Sequence, residues 1–272
     1  METLAISSVG RVELPDADRL KVFLMHGGVT VTGGDADRPT LDVAEVGGLP
    51  LHVTRHDDGT LEISHAPRAA TDAEARSLYG RADLRARLTL SVPRIRDVDV
   101  RTADGDITVE RVAGTVTVFS GEGRVLLVDL AGPAEVVAHN GRVEVLRADG
   151  PLNVVTSAAD TTVVEATGSM RLRTTSGSLD VDAQPQEGAH VQLAAASGAV
   201  RLRLPDLADT VVRLESAGGR VHTTFSQLAG FSQLAGGEPG GAVEATFGAA
   251  LRQVWVQCSS GDIALLRAEP AG

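Results

Sequence analysis

The sequence predicts an all-β fold: a flattened β-solenoid with two strands per turn and coils of roughly 18 residues, the alternative being an antiparallel β-sandwich built from a meander. Three observations carry this. Glycine recurs on every ninth residue at Gly105, Gly114, Gly123, Gly132, Gly141, Gly150, Gly168 and Gly177, with Ala159 the one substitute at that phase. Two and four residues after these marks stand pairs such as Ile107/Val109, Val116/Val118, Val125/Leu127, Val143/Val145, Leu152/Val154 and Leu179/Val181, all apolar except at Thr161. The residues between them are polar apart from Leu126, which describes short strands with one dry and one wet face. Finally, the corners alternate. Asp104-Gly105-Asp106, Gly123-Arg124, Asn140-Gly141-Arg142 and Ser176-Gly177-Ser178 are open and polar, whereas Ala113-Gly114, Gly132-Pro133, Gly150-Pro151 and Thr167-Gly168 form a second kind. The true period is therefore eighteen, and a solenoid closes its own core where a meander needs a second sheet to cover it.

Along the chain, residues 1–97 read as irregular β coils or an N-terminal cap, with Gly10 before Val12/Leu14, Gly27 before Val29/Val31 and Gly59 before Leu61/Ile63. Such a cap protects the edge strand that an open solenoid end exposes. Thr71-Asp72-Ala73-Glu74 has capping-box spacing and Gly80 is a stop signal, so a short helix is expected near 73–79. Residues 98–272 read as the regular solenoid, continuing through Gly198 with Val200/Leu202, Gly219 with Val221/Thr223 and Gly261 with Ile263/Leu265. An inserted loop is expected at 225–241, where Phe-Ser-Gln-Leu-Ala-Gly occurs twice in tandem before a Gly/Pro-rich stretch. The whole reads as one continuous structural unit. In the loop, Phe225, Leu228, Phe231 and Leu234 have no repeat phase and are expected to be exposed, as candidate contacts for a partner or a second subunit.

Composition narrows the function classes. Aromatics make up 3% against 43% hydrophobic residues, so the core is built from stacked Val, Leu, Ile and Ala. A net charge of −11 opposes contact with nucleic-acid phosphates or an anionic bilayer, so no nucleic-acid partner is expected. Cys258 is the single cysteine and leaves no internal disulfide. Met1–Pro15 carries Glu2 where a signal peptide wants positive charge, and no apolar run approaches the roughly 20 residues that span a bilayer. No transmembrane segment or lipid anchor is expected, and as written the chain reads as cytoplasmic.

The run Leu88-Thr89-Leu90-Ser91-Val92-Pro93 leads into Val98-Asp99-Val100-Arg101-Thr102-Ala103-Asp104-Gly105-Asp106-Ile107-Thr108-Val109, followed by Ser-Gly signatures at Ser176-Gly177, Ser197-Gly198 and Ser260-Gly261. Over about Leu88 to Leu266 the chain resembles the bacterial putative-adhesin family of β-strand-repeat domains, whose molecular function is largely undefined. The resemblance implies a β-solenoid, members often exported or membrane-linked, and no catalytic residues to carry over.

A calcium β-roll needs acidic corners repeated along the coil; Asp104 and Asp106 supply one, and the equivalent corners hold Arg124 and Arg142. His52, His56 and His65 with Asp57 and Asp58 are the densest metal-capable cluster, but two strands and a turn over 51–63 spread them apart, so no metal or cofactor is expected. No Gly-x-Ser-x-Gly elbow appears, His139, His190 and His222 sit at unrelated phases, and Cys258 reads as a packing residue. Glu135, Glu144 and Asp180 point outward without an evident paired-carboxylate arrangement, and Glu135 and Glu144 are expected on opposite faces. Arg76, Arg81, Arg85, Arg87, Arg94 and Arg96 cluster without interleaved aromatics. The expectation is a non-enzymatic scaffold or adhesin-like interaction module for a protein partner or its own copies. The alternative is a carbohydrate-binding or carbohydrate-active protein that uses an outer sheet face.

Overall fold

The computed structural model describes residues 2–34, 37–65, 81, 83–93, 95–228 and 240–268. The helix expected near 73–79, and Phe231 and Leu234, lie outside these. The chain divides into two compact units, Met1–Val137 and Ala138–Gly272. In both, parallel strands stack in β-solenoid coils at the period the glycines imply, with antiparallel strands added at the edges.

The first unit contains β1 (Glu2–Ile6), β2 (Gly10–Glu13), β3 (Arg19–Thr32), β4 (Thr40–Val46), β5 (Leu51–Arg55), β6 (Thr60–Ser64), β7 (Arg85–Ser91), β8 (Asp97–Glu110), β9 (Thr115–Glu122) and β10 (Arg124–Leu130), with β11 (Ala134–Ala138) at the division. β3 and β8 are long because each passes a glycine corner, at Gly27 and Gly105, and so supplies a strand to two sheets. β8 pairs in parallel with β9 from Asp97↔Thr115 and with β10 from Ile107↔Val125, eighteen residues on in both cases. Its other edge is taken by β3, from Arg19↔Asp97, although β6 and β7 lie nearer in sequence. Those two pair instead with the far edge of β3, from Arg19↔Thr60 and His26↔Arg85. Antiparallel strands continue outward, β4 on β7 and β2 on β4 in one sheet, β5 on β6 and β1 on β5 in the other.

The second unit contains β12 (Arg142–Ala148), β13 (Leu152–Thr156), β14 (Asp160–Ala166), β15 (Met170–Thr174), β16 (Leu179–Ala183), β17 (His190–Ala195), β18 (Val200–Leu204), β19 (Thr210–Ser216), β20 (Val221–Thr223), β21 (Gly241–Thr246), β22 (Arg252–Cys258) and β23 (Ile263–Arg267). Parallel pairing follows the period through Arg142↔Asp160, Leu152↔Met170 and Thr161↔Leu179, then lengthens at Met170↔Val191 and Leu179↔Val200. After β18 the order of coils departs from the order of the chain. β22 lies between β17 and β19, through His190↔Gln253 and Thr210↔Arg252, and β23 lies between β18 and β20, through Val200↔Ile263 and Val221↔Ile263. The last coil of the sequence is thus inserted inside the stack, and β21 closes β19 as an antiparallel edge. Arg252 anchors the inserted strand by donating to the carboxylate of Asp206 at 2.6 Å and to the carbonyl of Ala208.

The inward residues read from the alternation are buried without exception, from Ile107/Val109 to Leu179/Val181, including Thr161. Removing each Val or Leu from water contributes on the order of 1.5–3 kcal/mol. Thr161 stands between Val143 and Leu179 on the paired strands, and its Oγ1 is buried with no hydrogen-bond partner among the described residues. Thr161→Val keeps the shape and removes an orphaned hydroxyl, so it is expected to stabilise the second unit by about 1 kcal/mol. Urea denaturation checks this; a loss of stability would show that the hydroxyl has a partner.

Two corner devices recur. Arg111, Asp129, Arg147 and Glu165, spaced eighteen apart, all have φ between 53 and 60°, so one non-glycine residue per coil takes the left-handed conformation. It is the extra residue of a bulge: pairing between β14 and β16 runs Val164↔Asp182 and then Ala166↔Ala183, skipping Glu165. At the opposite corner an inward Ser, Thr or Cys ties down the turn that follows. Gly177 N–H donates to Thr174 Oγ1 at 2.9 Å, Gly219 N–H to Ser216 Oγ at 2.9 Å, and Gly261 N–H to Cys258 Sγ at 3.0 Å. Cys258 therefore occupies a turn-capping position that serine and threonine fill in other coils.

The expectation of an exposed loop is corrected at Phe225 and Leu228. Phe225 is 2% exposed and Leu228 is fully buried. Thr224 N–H donates to Leu265 O at 3.1 Å and Arg267 N–H to Thr224 Oγ1 at 2.8 Å, which turns the chain inward after β20. Arg267 then covers the Phe225 ring at 5.5 Å, and a single 3-10 turn over Ser226–Leu228 seats Leu228. These apolar residues close the interior that the short strand β20 alone leaves open. They are core, and are not available to a partner.

Candidate functional site

The corner carboxylates are engaged in holding coils together. Asp106 accepts the Arg124 N–H at 2.9 Å, and Asp262 accepts the Arg220 N–H at 2.8 Å. Asp160 accepts both the N–H and the hydroxyl of Ser178, at 2.9 and 2.7 Å, and these bonds hold its carboxyl below the usual carboxylate range. Asp104, the other member of the acidic corner, lies 3.3 Å from His26 Nδ1. Among the described residues no three His, Cys, Asp or Glu side chains gather in a way that would hold a metal ion.

The histidine-rich segment is dispersed as well. His56 Nε2 lies 3.2 Å from Glu62, and Asp58 caps its own turn by accepting the Thr60 N–H at 3.0 Å. His65 is buried, and its Nδ1–H donates to Leu49 O at 3.1 Å, while Nε2 finds no partner among the described residues. Burial, opposed in part by that hydrogen bond, lowers the His65 pKa below its ordinary value near 6.5. Above that value neither state is protonated and His65 has no effect on stability. Below it the unfolded chain takes up a proton that the folded chain resists, so stability falls with pH until the depressed folded value is reached. The melting temperature is expected to drop between about pH 7 and about pH 5, and to drop less in His65→Gln. An equal drop in both proteins would contradict this.

Other reactive side chains stay separate. His139 lies within 3.2 Å of Ser157 Oγ, whereas His190 and His222 are exposed on β17 and β20. Glu144 and Asp180 share one outer row, Glu144–Thr162–Asp180, two strand spacings or about 9.6 Å apart. Arg142 lies 3.4 Å from Glu144, and Arg201 and Arg203 lie 2.9 and 2.7 Å from Asp180, so each carboxylate already has a cation. Arg81 is paired with Asp83, and Arg76 and Arg94 lie outside the described residues.

The outer face formed by β13, β15, β17, β22, β19 and β21 is of another character. Across it runs the row Asn153–Arg171–Gln192–Trp255–Arg213–Glu244, one residue per strand. Trp255, the only tryptophan in the chain, is 41% exposed there. The Arg213 guanidinium lies 5.7 Å from its ring centroid, and Arg171 Nε donates to Gln192 Oε1 at 2.8 Å. Gln253 and Gln257 point to the same side from β22, and the next row adds Arg173 and Glu215. Strict alternation in Gln253–Gln257 makes Trp255 outward from sequence alone. Its neighbours could not be read, because Gln192 and Arg213 reach it only through insertion of β22 between β17 and β19.

Stacked parallel coils, glycine corners and in-register outer rows define a strand-repeat scaffold of the β-solenoid class. The chain belongs to the Toastrack DUF4097 family, whose model matches residues 18–266. Two solved structures are similar over nearly the whole chain. One is a putative cell adhesion protein from Clostridium sporogenes ATCC 15579, with 12% identity, 97% of this chain and 100% of that one covered, and a TM-score of 0.23. The other is a putative adhesin from Bacteroides fragilis NCTC 9343, with 10% identity, 97% of each chain covered, and a TM-score of 0.45. No protein of curated function matches the chain. Among the described residues no helix is long and apolar enough to cross a membrane.

Proposed function

We propose that the chain is a non-catalytic, adhesin-like interaction module whose outer sheet faces hold a partner. The observation that carries this reading is the use made of its carboxylates. Asp106, Asp160 and Asp262 accept backbone N–H groups of adjoining coils, while Asp180 and Asp206 hold arginines. Groups so engaged fasten the scaffold instead of converging on a substrate, and the scaffold in turn presents flat rows of side chains in fixed register. Membership of a strand-repeat family supports the same reading. To test it, immobilised protein is exposed to oligosaccharides, matrix proteins and the protein itself, and retained molecules are eluted and weighed by mass spectrometry. Saturable retention of one class with unchanged mass is the expected result. Chemical conversion of a retained molecule, or retention of nothing, overturns the reading.

A further inference from the structure

We propose that the row Arg171–Gln192–Trp255–Arg213 is a binding strip for carboxylate-bearing oligosaccharides, chains of pyranose rings that carry uronic acids. The proposal rests on the interaction-module reading and names the ligand class of one face. Trp255 projects from the middle of a sheet, in fixed register with its neighbours on β17 and β19. An exposed indole held on a rigid strand offers a flat surface to the C–H face of a sugar ring, and its rigidity limits the entropy lost on binding. Amides surround it at Gln192, Gln253 and Gln257, each a donor and an acceptor suited to ring hydroxyls.

Charge selects among sugars. The protein carries a net −11, yet this face presents Arg171, Arg173 and Arg213 against Glu215 and Glu244; Arg213 lies 3.9 Å from Glu215, and the excess cation stands at Arg171 and Arg173, whose register partners Asn153, Gln192, Val155 and Ala194 include no carboxylate. A local excess of guanidinium in an acidic protein favours a ligand with its own carboxylates, which arginine binds in a planar, two-pronged manner. Arg171 and Arg213 stand three strand spacings apart, about 14 Å, with the indole between them. That span suits a short oligosaccharide rather than a single ring. A protein partner or a second copy is disfavoured because, among the described residues, the large apolar side chains this face exposes are Trp255 and Val155, three strand spacings apart, which leaves no contiguous apolar patch to form the buried core of a protein interface.

Because Trp255 is the sole tryptophan, its emission reports on this face alone. The full chain is titrated with trigalacturonate, trimannuronate and triglucuronate, and with maltotriose as the neutral control. A saturable change in emission with at least one acidic trimer is expected, with affinity at least tenfold weaker for maltotriose. Calorimetry with Trp255→Ala should show loss of that binding at an unchanged melting temperature, and Arg171→Gln with Arg213→Gln should remove the preference for acid over neutral. Failure of all three acidic trimers overturns the proposal, and equal binding of maltotriose overturns its acidic part. If the retention panel instead yields a protein or a second copy, released by Trp255→Ala, the strip is a protein interface: the interaction-module reading survives and this proposal does not.

Discussion

Val143→Asp is expected to destabilise the second unit by about 4 kcal/mol, a large share of the roughly 5–15 kcal/mol that holds a domain folded. Val143 is fully buried on β12, opposite Thr161 on β14, in a column of inward residues that contains no cation and no water-facing side. A carboxylate placed there must either ionise in a dry stack or remain protonated without a partner. Its neighbour Glu144 faces outward, 3.4 Å from Arg142, and Glu144→Thr acts on contacts of the wet face. That change should alter stability by less than about 1 kcal/mol. Equal effects in urea denaturation would mean that the strand faces are assigned wrongly.

Gly105→Ala is expected to cost about 3 kcal/mol or more, from two separable causes. Gly105 has φ +154°, which an L residue adopts only under strain, and a Cβ there would collide with the carbonyl oxygen of Gly27 on the adjoining coil. Backbone cannot step aside as a side chain can, since Gly27 is itself pressed against Ala86 and Gly123 against Gly105. Gly10 provides the control: its φ is +153° but nothing lies within 4 Å of the added carbon. Gly10→Ala therefore carries the backbone strain alone, about 1 kcal/mol. If both substitutions cost the same, the close approach of coils at the Gly105 corner is not what the glycine serves.

The nonapeptide period made the inward residues legible because burial in a strand depends on the parity of a residue and on little else. Ile107, Val125, Val143 and Leu179 are all inward for that local reason. The order of coils was not legible. Gly198-x-Val200-x-Leu202, Gly219-x-Val221-x-Thr223 and Gly261-x-Ile263-x-Leu265 carry one signature, so each coil is a competent neighbour for either of the others. What selects the inserted arrangement lies in contacts outside the repeat, such as Arg252 on Asp206 and the Ala249 N–H on Asp209 at 2.6 Å. Phe225 and Leu228 escape the pattern for a related reason. Lacking a repeat phase they belong to no coil, and the open end of the stack that they fill has no counterpart in the sequence pattern.

The Trp255 strip exists only if β22 lies between β17 and β19, so the insertion is the claim on which both fold and function turn. Ala194 is the register partner of Gln257, and Gln257 is the register partner of Glu215. In a Cys258→Ser background, Ala194→Cys with Gln257→Cys places the two thiols on adjacent strands, within the Cα separation of about 4.4–6.8 Å that a disulfide spans. Ala194→Cys with Glu215→Cys places them two strand spacings apart, about 9.6 Å, beyond that reach. Mild oxidation of the folded protein, followed by mass mapping of the peptides, is expected to join residues 194 and 257 and to leave 194 and 215 free. A bond between 194 and 215 with none between 194 and 257 would show coils stacked in chain order, and would contradict the account.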